Sequence, residues 1–217
     1  MYKYKILKIS QVIDSEKEFI RKDTEEKLFK YATTKIRNFI TDNFKKEKIL
    51  FICGPGKNGL DGLKTAELLV NNEVLIYLIS QEVDPNLKKL GLKISKCNVI
   101  VDCIFGIGLN RKLKKKYIKI INKINLSKKI IISIDIPSGF DCNSGLDYGA
   151  FIKANYTLAM GFFKPAHFLL PSKKFIGSLK ILDLKLDLPK KLKPEINILN
   201  KNQFKKFKVF HDIDINK

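Results

Sequence analysis

A run of six residues, Lys48-Ile49-Leu50-Phe51-Ile52-Cys53, leads straight into the loop GPGKNGLDG at residues 54–62, and no other stretch constrains the fold as much. The run is short and nearly all apolar, which fits a strand covered on both faces in a parallel sheet. Four glycines and one proline follow within nine residues. They turn the chain between a strand and a helix and leave backbone amides free to meet an anion at the helix N-terminus. The loop does not read GxGxxG and lacks the Lys-Ser or Lys-Thr ending of a P-loop, so the generic dinucleotide and NTPase fingerprints both fit poorly. On the loop alone, a phosphate cradle and a tight turn with no ligand both stay open.

The rest of the chain sets this loop in a repeating pattern. Residues 10–44 carry apolar positions at helical spacing (Phe19 and Ile20; Leu28, Tyr31 and Ala32; Ile36, Phe39 and Ile40), which predicts two amphipathic helices. From Gly62 onward Leu63, Ala66, Leu68 and Leu69 read as helix, and residues 74–79 as a second buried strand, completing a βαβ unit. After a short stretch at 81–96, further strands are expected at 98–103, 129–135, 154–160 and 177–186, with a Lys-rich helix at 114–125. Such alternation predicts an α/β fold, a Rossmann-like three-layer sandwich with a mostly parallel sheet and helices on both faces. With 217 residues, one domain over 1–217 is expected, divided into N-terminal helices at 10–44, a core sheet at 48–186 and a basic C-terminal tail at 189–217. Ligands of such sheets bind beyond the carboxyl ends of the strands, which brings Asn58, Asp102 and Asp135 into one neighbourhood.

A net charge of +20 would attract nucleic acid, anionic lipid or a phosphorylated small molecule. Only three of the 42 basic residues are Arg (Arg21, Arg37 and Arg111), whereas specific nucleic-acid readers lean on Arg, so the balance is against a nucleic-acid partner. Lys, Ile and Asn all have AT-rich codons, and biased coding would produce the same charge. Cys53, Cys97, Cys103 and Cys142 form no CxxC pair, which argues against a zinc site or a disulfide framework and for buried free thiols in a reducing compartment. No apolar run approaches the roughly 18 residues a membrane span needs, and the Lys-dotted start has no signal-peptide core, so a cytoplasmic protein without a membrane partner is expected.

Two further motifs share the layout of the first. In VDCIFGIGL, Asp102 ends an apolar strand ahead of Gly106 and Gly108; in SIDIPSGFD, Asp135 ends another ahead of the turn Pro137-Ser138-Gly139. Taken singly, each Asp either caps a neighbouring loop or serves a site. His167 and His211 read as ordinary polar residues. Lys164, before Pro165, either contacts a ligand or lies on the surface.

The three motifs together, in this order and at these strand ends, resemble those of the NAD(P)H-hydrate epimerase family, the YjeF N-terminal domain, whose loops read close to GPGNNGGDG, DALFGTGL and DIPSGLD. Residues 154–158 (ANYTL), Gly161, Lys164-Pro165 and Phe175-Ile176-Gly177 extend the resemblance, which spans residues 49–186. It implies an isomerase of nicotinamide-nucleotide repair that interconverts the R and S forms of hydrated NADH or NADPH. It further implies a homodimer working with a separate ADP- or ATP-dependent dehydratase, a domain with no counterpart in this sequence. By the resemblance, Asn58, Asp102 and Ser138 would ligate potassium. Lys57, Asn58, Gly59, Leu60 and Asp61 would line the dinucleotide, as would Gly106, Ile107, Gly108, Leu109, Asn110, Arg111 and Lys112. Asp135 would contact the substrate, and its carboxyl type suits general acid–base work on the hydrated ring. Lys57 replaces the family's Asn and Leu60 its Gly; the lysine could add a phosphate contact or compete with potassium. Two alternatives remain: a non-catalytic scaffold or RNA-binding dimerisation module of the same fold, and an oxidoreductase using intact NAD. The latter lacks GxGxxG and an acidic residue about 20 positions on to hold a ribose.

Overall fold

A computed structural model describes residues 5–189 and the backbone of 196–197. Strand β1 (Lys5–Ile6) and helices α1 (Ile9–Lys22) and α2 (Glu25–Asn43) precede the core. Then come β2 (Lys48–Cys53), α3 (Lys57–Glu67), β3 (Glu73–Leu78), α4 (Leu87–Ser95), β4 (Val99–Cys103), α5 (Lys115–Asn125), β5 (Ile130–Ile134), β6 (Tyr156–Met160) and β7 (Ser178–Leu182). The six core strands form one parallel sheet in the order β3-β2-β4-β5-β6-β7. Strand β8 (Ile196–Asn197) pairs antiparallel with β1. The expected tail at 189–217, with His211, otherwise lies outside the described residues beyond Pro189.

Strand alternation divides the core into two layers. Ile49, Phe51 and Cys53 of β2 pack with Ala32, Ile36 and Ile40 of α2 and Ala66 of α3. Leu50 and Ile52 face the other way, onto Leu90 and Ile94 of α4 and Ile120, Ile121 and Ile124 of α5. Because both faces are covered, every residue of β4 is buried and its sequence is continuously apolar but for Asp102. Thr24 caps α2 by accepting from the Lys27 amide at 3.1 Å, and Glu25 and Glu26 suit the positive end of that helix. None of the described helices is long and apolar enough to cross a membrane.

Three expectations need correction. Only Gly54–Gly56 is loop, because α3 begins at Lys57 rather than near Gly62. The glycines inside the helix allow close packing: a Cβ on Gly59 would stand 1.9 Å from the Gly54 carbonyl oxygen, and one on Gly62 would meet Cys103 Sγ at 2.4 Å. Next, the stretch at 81–96 contains α4, started by Asn86, whose side chain accepts from the Lys89 amide at 2.8 Å; buried Leu90 and Ile94 give too short an apolar stripe to stand out in sequence. The last core strand ends at Leu182 rather than 186, where Asp183 turns its side chain onto the Lys185 amide instead of continuing the ladder.

Candidate active site

The chain leaves β2 to form β3 on one side and returns to form β4 on the other, so the crevice of this sheet opens between the loops after β2 and β4. The two loops are joined by the Gly54 amide, which donates to the Cys103 carbonyl at 3.0 Å. Asn58, on the first turn of α3, donates through Nδ2 to the Phe105 carbonyl at 3.0 Å and lies 3.5 Å from that of Ile134. It thus bridges the ends of β4 and β5. Gly106 permits this approach, since a Cβ there would press on the Asn58 side chain at 3.4 Å.

Asp102 is wholly buried and accepts four hydrogen bonds: from Ser133 Oγ (2.8 Å), the Ser138 amide (2.9 Å), Ser138 Oγ (2.6 Å) and the Ile104 amide (3.2 Å). Burial raises its pKa, and the hydrogen bonds from Ser138, Ser133 and Ile104 oppose the rise. Ser138 Oγ in turn accepts from the Phe105 amide at 2.9 Å. Asn58 and Ser138 therefore meet at the Phe105 backbone, and Asp102 reaches it through Ser138. Toward the carbonyls of Phe105 and Ile134 Asn58 presents its amide nitrogen, a donor, and both Asp102 oxygens are already engaged by donors of the protein. No group of His, Cys, Asp and Glu among the described residues is arranged for a transition metal.

Asp135 follows β5 with φ at +68°, a left-handed conformation uncommon for a side-chain-bearing residue. Its amide donates to Leu158 O at 2.8 Å, and its carbonyl takes His167 Nε2 at 2.8 Å. The Lys164 amide donates to His167 Nδ1 at 3.0 Å, so Nδ1 is an acceptor and the proton belongs on Nε2, facing the Asp135 carbonyl. Burial and the Lys164 charge push the His167 pKa down to about 4, which keeps the ring neutral. Lys164 is 1% exposed; its ammonium pairs with Asp135 Oδ1 and donates to Met160 O at 2.8 Å. Asp135 Oδ1 also accepts from the Met160 amide at 3.1 Å, while Oδ2 takes no hydrogen bond from the described residues. Lys164 is therefore not a surface residue, and His167 is not an ordinary polar one. Both hold Asp135, and neither role has a signal in local sequence, because the partners lie 29 and 32 residues away.

Asp61, on α3, makes no side-chain hydrogen bond among the described residues. Burial, then the charges of Asp135 and Glu16, raise its pKa to about 7, and Lys57 opposes the rise. Glu16 comes from α1; its own pKa is raised, by burial first and then by Asp135 against the opposing charge of Lys164. Sequence reasoning missed Glu16, since a lone carboxylate among the polar residues of α1 carries no local sign of the groups that face it. A carboxyl titrating near neutrality beside a second, cation-paired carboxylate is an arrangement for proton transfer.

The remaining expected residues divide. Lys57 turns to Glu25, 2.6 Å away across an exposed pair, so its ammonium neither meets the Asn58 set nor stands free for a phosphate. Leu60 is 56% exposed, whereas Gly59 is buried in the helix contact. In the second segment Leu109 is buried with Leu113 and Tyr117, whereas Ile107 is partly buried against separate apolar clusters that include Ile136 and Phe140, and Val12 and Phe162. Gly108, Leu109, Asn110, Arg111 and Lys112 line a cavity of about 240 Å³ beside Pro55 and Phe105.

Residues 25–166 match the family described as YjeF-related protein N-terminus. An NAD(P)H-hydrate epimerase of Elusimicrobium minutum is 32% identical over 187 residues, covering 74% of this chain and 83% of that protein. A bifunctional NAD(P)H-hydrate repair enzyme Nnr of Dictyoglomus turgidum is 33% identical over 69% of this chain, which spans only 34% of that longer protein. The crystal structure of the yeast protein YNL200c superposes with a TM-score of 0.66 over 75% of this chain and 82% of that one, at 18% identity, and shows the fold. Sequence match, relatives and fold agree: the chain belongs to the family of YjeF-related N-terminal domains.

Proposed function

We propose that this protein is an NAD(P)H-hydrate epimerase, an isomerase that interconverts the R and S epimers of hydrated NADH and NADPH. The observation that carries the reading is the pair of carboxyls at one crevice, Asp61 titrating near neutrality and Asp135 held by Lys164 with one oxygen left open. The names of the relatives point the same way.

The chemistry follows from the substrate. Hydration places a hydroxyl on the carbon beside the ring nitrogen, so inversion requires that C–O bond to break and re-form, or the ring to open and close. In the first route Asp61 in its acid form gives a proton to the departing hydroxyl, water leaves, and the ring nitrogen shares the resulting positive charge. The open oxygen of Asp135 stabilises that charge. Water then adds to the opposite face and its proton returns to Asp61, so nothing is oxidised or reduced. A carboxyl with a pKa of about 7 is protonated and ionised in comparable amounts at neutral pH, which suits one group giving and then retaking the proton.

The residues that the resemblance assigns to potassium, Asn58, Asp102 and Ser138, do not present an open oxygen cage as arranged here: Asn58 turns its amide nitrogen to the Phe105 carbonyl, Ser138 Oγ is hydrogen-bonded to Asp102 and to the Phe105 amide, and both Asp102 oxygens are engaged by donors of the protein, so no step of the reaction runs through the ion. Family resemblance extends the reading to a homodimer. The bifunctional relatives support functional coupling to a dehydratase. Four free, buried thiols accord with a cytoplasmic setting.

The decisive assay supplies the R epimer of hydrated NADH to a purified S-specific dehydratase. Adding this protein should accelerate consumption of the R form; an unchanged rate rejects the epimerase reading.

A further inference from the structure

We infer that Glu16, brought over the crevice by α1, is the positioning residue for the proton of the reaction: its charge keeps that proton on Asp61 until the hydroxyl departs, an inference that rests on the epimerase reading. The docking of α1 places it there. Ahead of the helix the Leu7 amide donates to the carbonyl of Phe163, next to Lys164, at 2.9 Å. The Ile9 amide donates to Asn143 Oδ1 at 3.0 Å. Ile9 packs with Ile136 and Phe140 of the loop after β5, and Val12 packs with Phe162 of the loop after β6. Further along, Phe19 meets Tyr31 of α2 with ring centroids 6.2 Å apart.

Glu16 stands four residues after Val12 and three before Phe19, on the face those two share. Val12 and Ser15 are buried and Glu16 half-buried, whereas Ile13, Asp14 and Lys17 are exposed. This face therefore runs from the loops after β5 and β6 to α2, whose first turn meets that of α3 through the Glu25–Lys57 pair. A carboxylate on it overlooks the crevice from a fifth segment of the chain.

The charges gathered there are Glu16 of α1, Glu25 of α2, Lys57 and Asp61 of α3, Asp135 after β5 and Lys164 after β6. Below α3, burial holds the Cys103 thiol of β4 well above its ordinary range, and so neutral. Two carboxylates are committed, Asp135 to Lys164 and Glu25 to Lys57. Glu16 and Asp61 have no ion-pair partner among the described residues, and crowded like charges do not all ionise together. Their surroundings decide which one keeps a proton. Burial raises both; at Glu16 the charges of Lys164 and Lys57 stand against those of Asp135 and Glu25, whereas at Asp61 those of Asp135 and Glu16 stand against Lys57 alone. Glu16 ionises first, and its charge then holds the proton on Asp61. It acts on the hydrated ring only through Asp61.

The test compares the pH dependence of epimerisation in the parent and in Glu16→Gln, with circular dichroism as the check on folding. In the parent the rate should fall as pH rises through about 7, where Asp61 loses its proton. In Glu16→Gln that inflection should move down by on the order of one pH unit, the effect of one charge removed from a partly buried cluster. The rate near pH 8 then drops about tenfold, the rate near pH 5.5 changes by less than about twofold, and KM stays as it was. Glu16→Asp, which keeps the charge, should restore the parent profile. Glu18→Gln, which removes a charge of the same helix that is paired with Arg21 and Lys22, should leave it unmoved. An unshifted inflection in Glu16→Gln, an equal loss at every pH, or the same shift in Glu18→Gln overturns the inference. Carbon-13 NMR of the carboxyls in the unliganded parent reads the order of ionisation without any change at Glu16, the Asp61 signal being identified by its loss in Asp61→Asn. Glu16 should titrate below Asp61, and the reverse order overturns the inference. If that order holds but the parent does not consume the R epimer, the epimerase reading fails while the coupling of Glu16 to Asp61 stands.

Discussion

Asp102 and Asp135 lie at the carboxyl ends of neighbouring apolar strands and look alike in sequence, yet the structure gives them opposite surroundings. Asp102 is sealed, with both oxygens spent on four donors of the protein itself, and it has no ion-pair partner among the described residues. Asp135 has a buried cation on one oxygen and an open second oxygen, on a backbone turned left-handed and held by His167. A carboxylate saturated by hydrogen bonds fastens loops together; one with an oxygen in reserve can meet a substrate. The first is a clasp for the loops after β4 and β5, and the second is a working group in the proposed mechanism.

The largest expected effect is on the second. Asp135→Asn should lower epimerisation at least about 100-fold, the lower bound for loss of a proton-transfer or charge-stabilising group, while circular dichroism stays native. An Asp135→Asn protein that retains full activity would remove Asp135 from the mechanism. Next, Asp102→Ala should act on stability: four donors lose their acceptor inside the core, a cost of about 3 kcal/mol in chemical denaturation. If its denaturation midpoint is unchanged, Asp102 is not the clasp.

Asp61→Asn sharpens the contrast through pH. The pKa of Asp61 is raised from 3.8 to about 7 in the folded chain, so the native state holds its proton over a range where the unfolded state has lost it. Asp61 therefore weakens the fold progressively as pH rises from about 4 to 7. The Asn variant should be more stable than the parent at pH 8, by on the order of 1–3 kcal/mol, and equal to it near pH 3. It should also lose the inflection near pH 7 in the rate profile. Thermal melts at both pH values check the first half, and equal differences at the two would reject the titration of Asp61.

Much of this architecture was legible because its signals are local. The continuous apolar runs at 49–53, 99–103 and 130–134 announce a parallel sheet covered on both faces, and the polar loops after them mark the end of the sheet where a candidate site is expected. Helix α4 escaped because two buried residues in nine make too weak a period. The segment GPGKNGLDG was legible as a candidate site but not as a helix, since glycine lowers the helical expectation at Gly59 and Gly62, where contact with Gly54 and Cys103 requires it.

By itself the sequence determined the sheet, the three strand-end motifs and the gathering of Asn58, Asp102 and Asp135 at one crevice, because a period of two and a run of apolar residues are properties of neighbours along the chain. Tertiary structure alone decided which carboxyl is clasped, which is paired and which titrates near neutrality. Lys164 reaches Asp135 from beyond β6, and Glu16 from α1 adds its charge to Asp61. Burial and charge act through space, over a few ångströms that separate residues far apart in sequence.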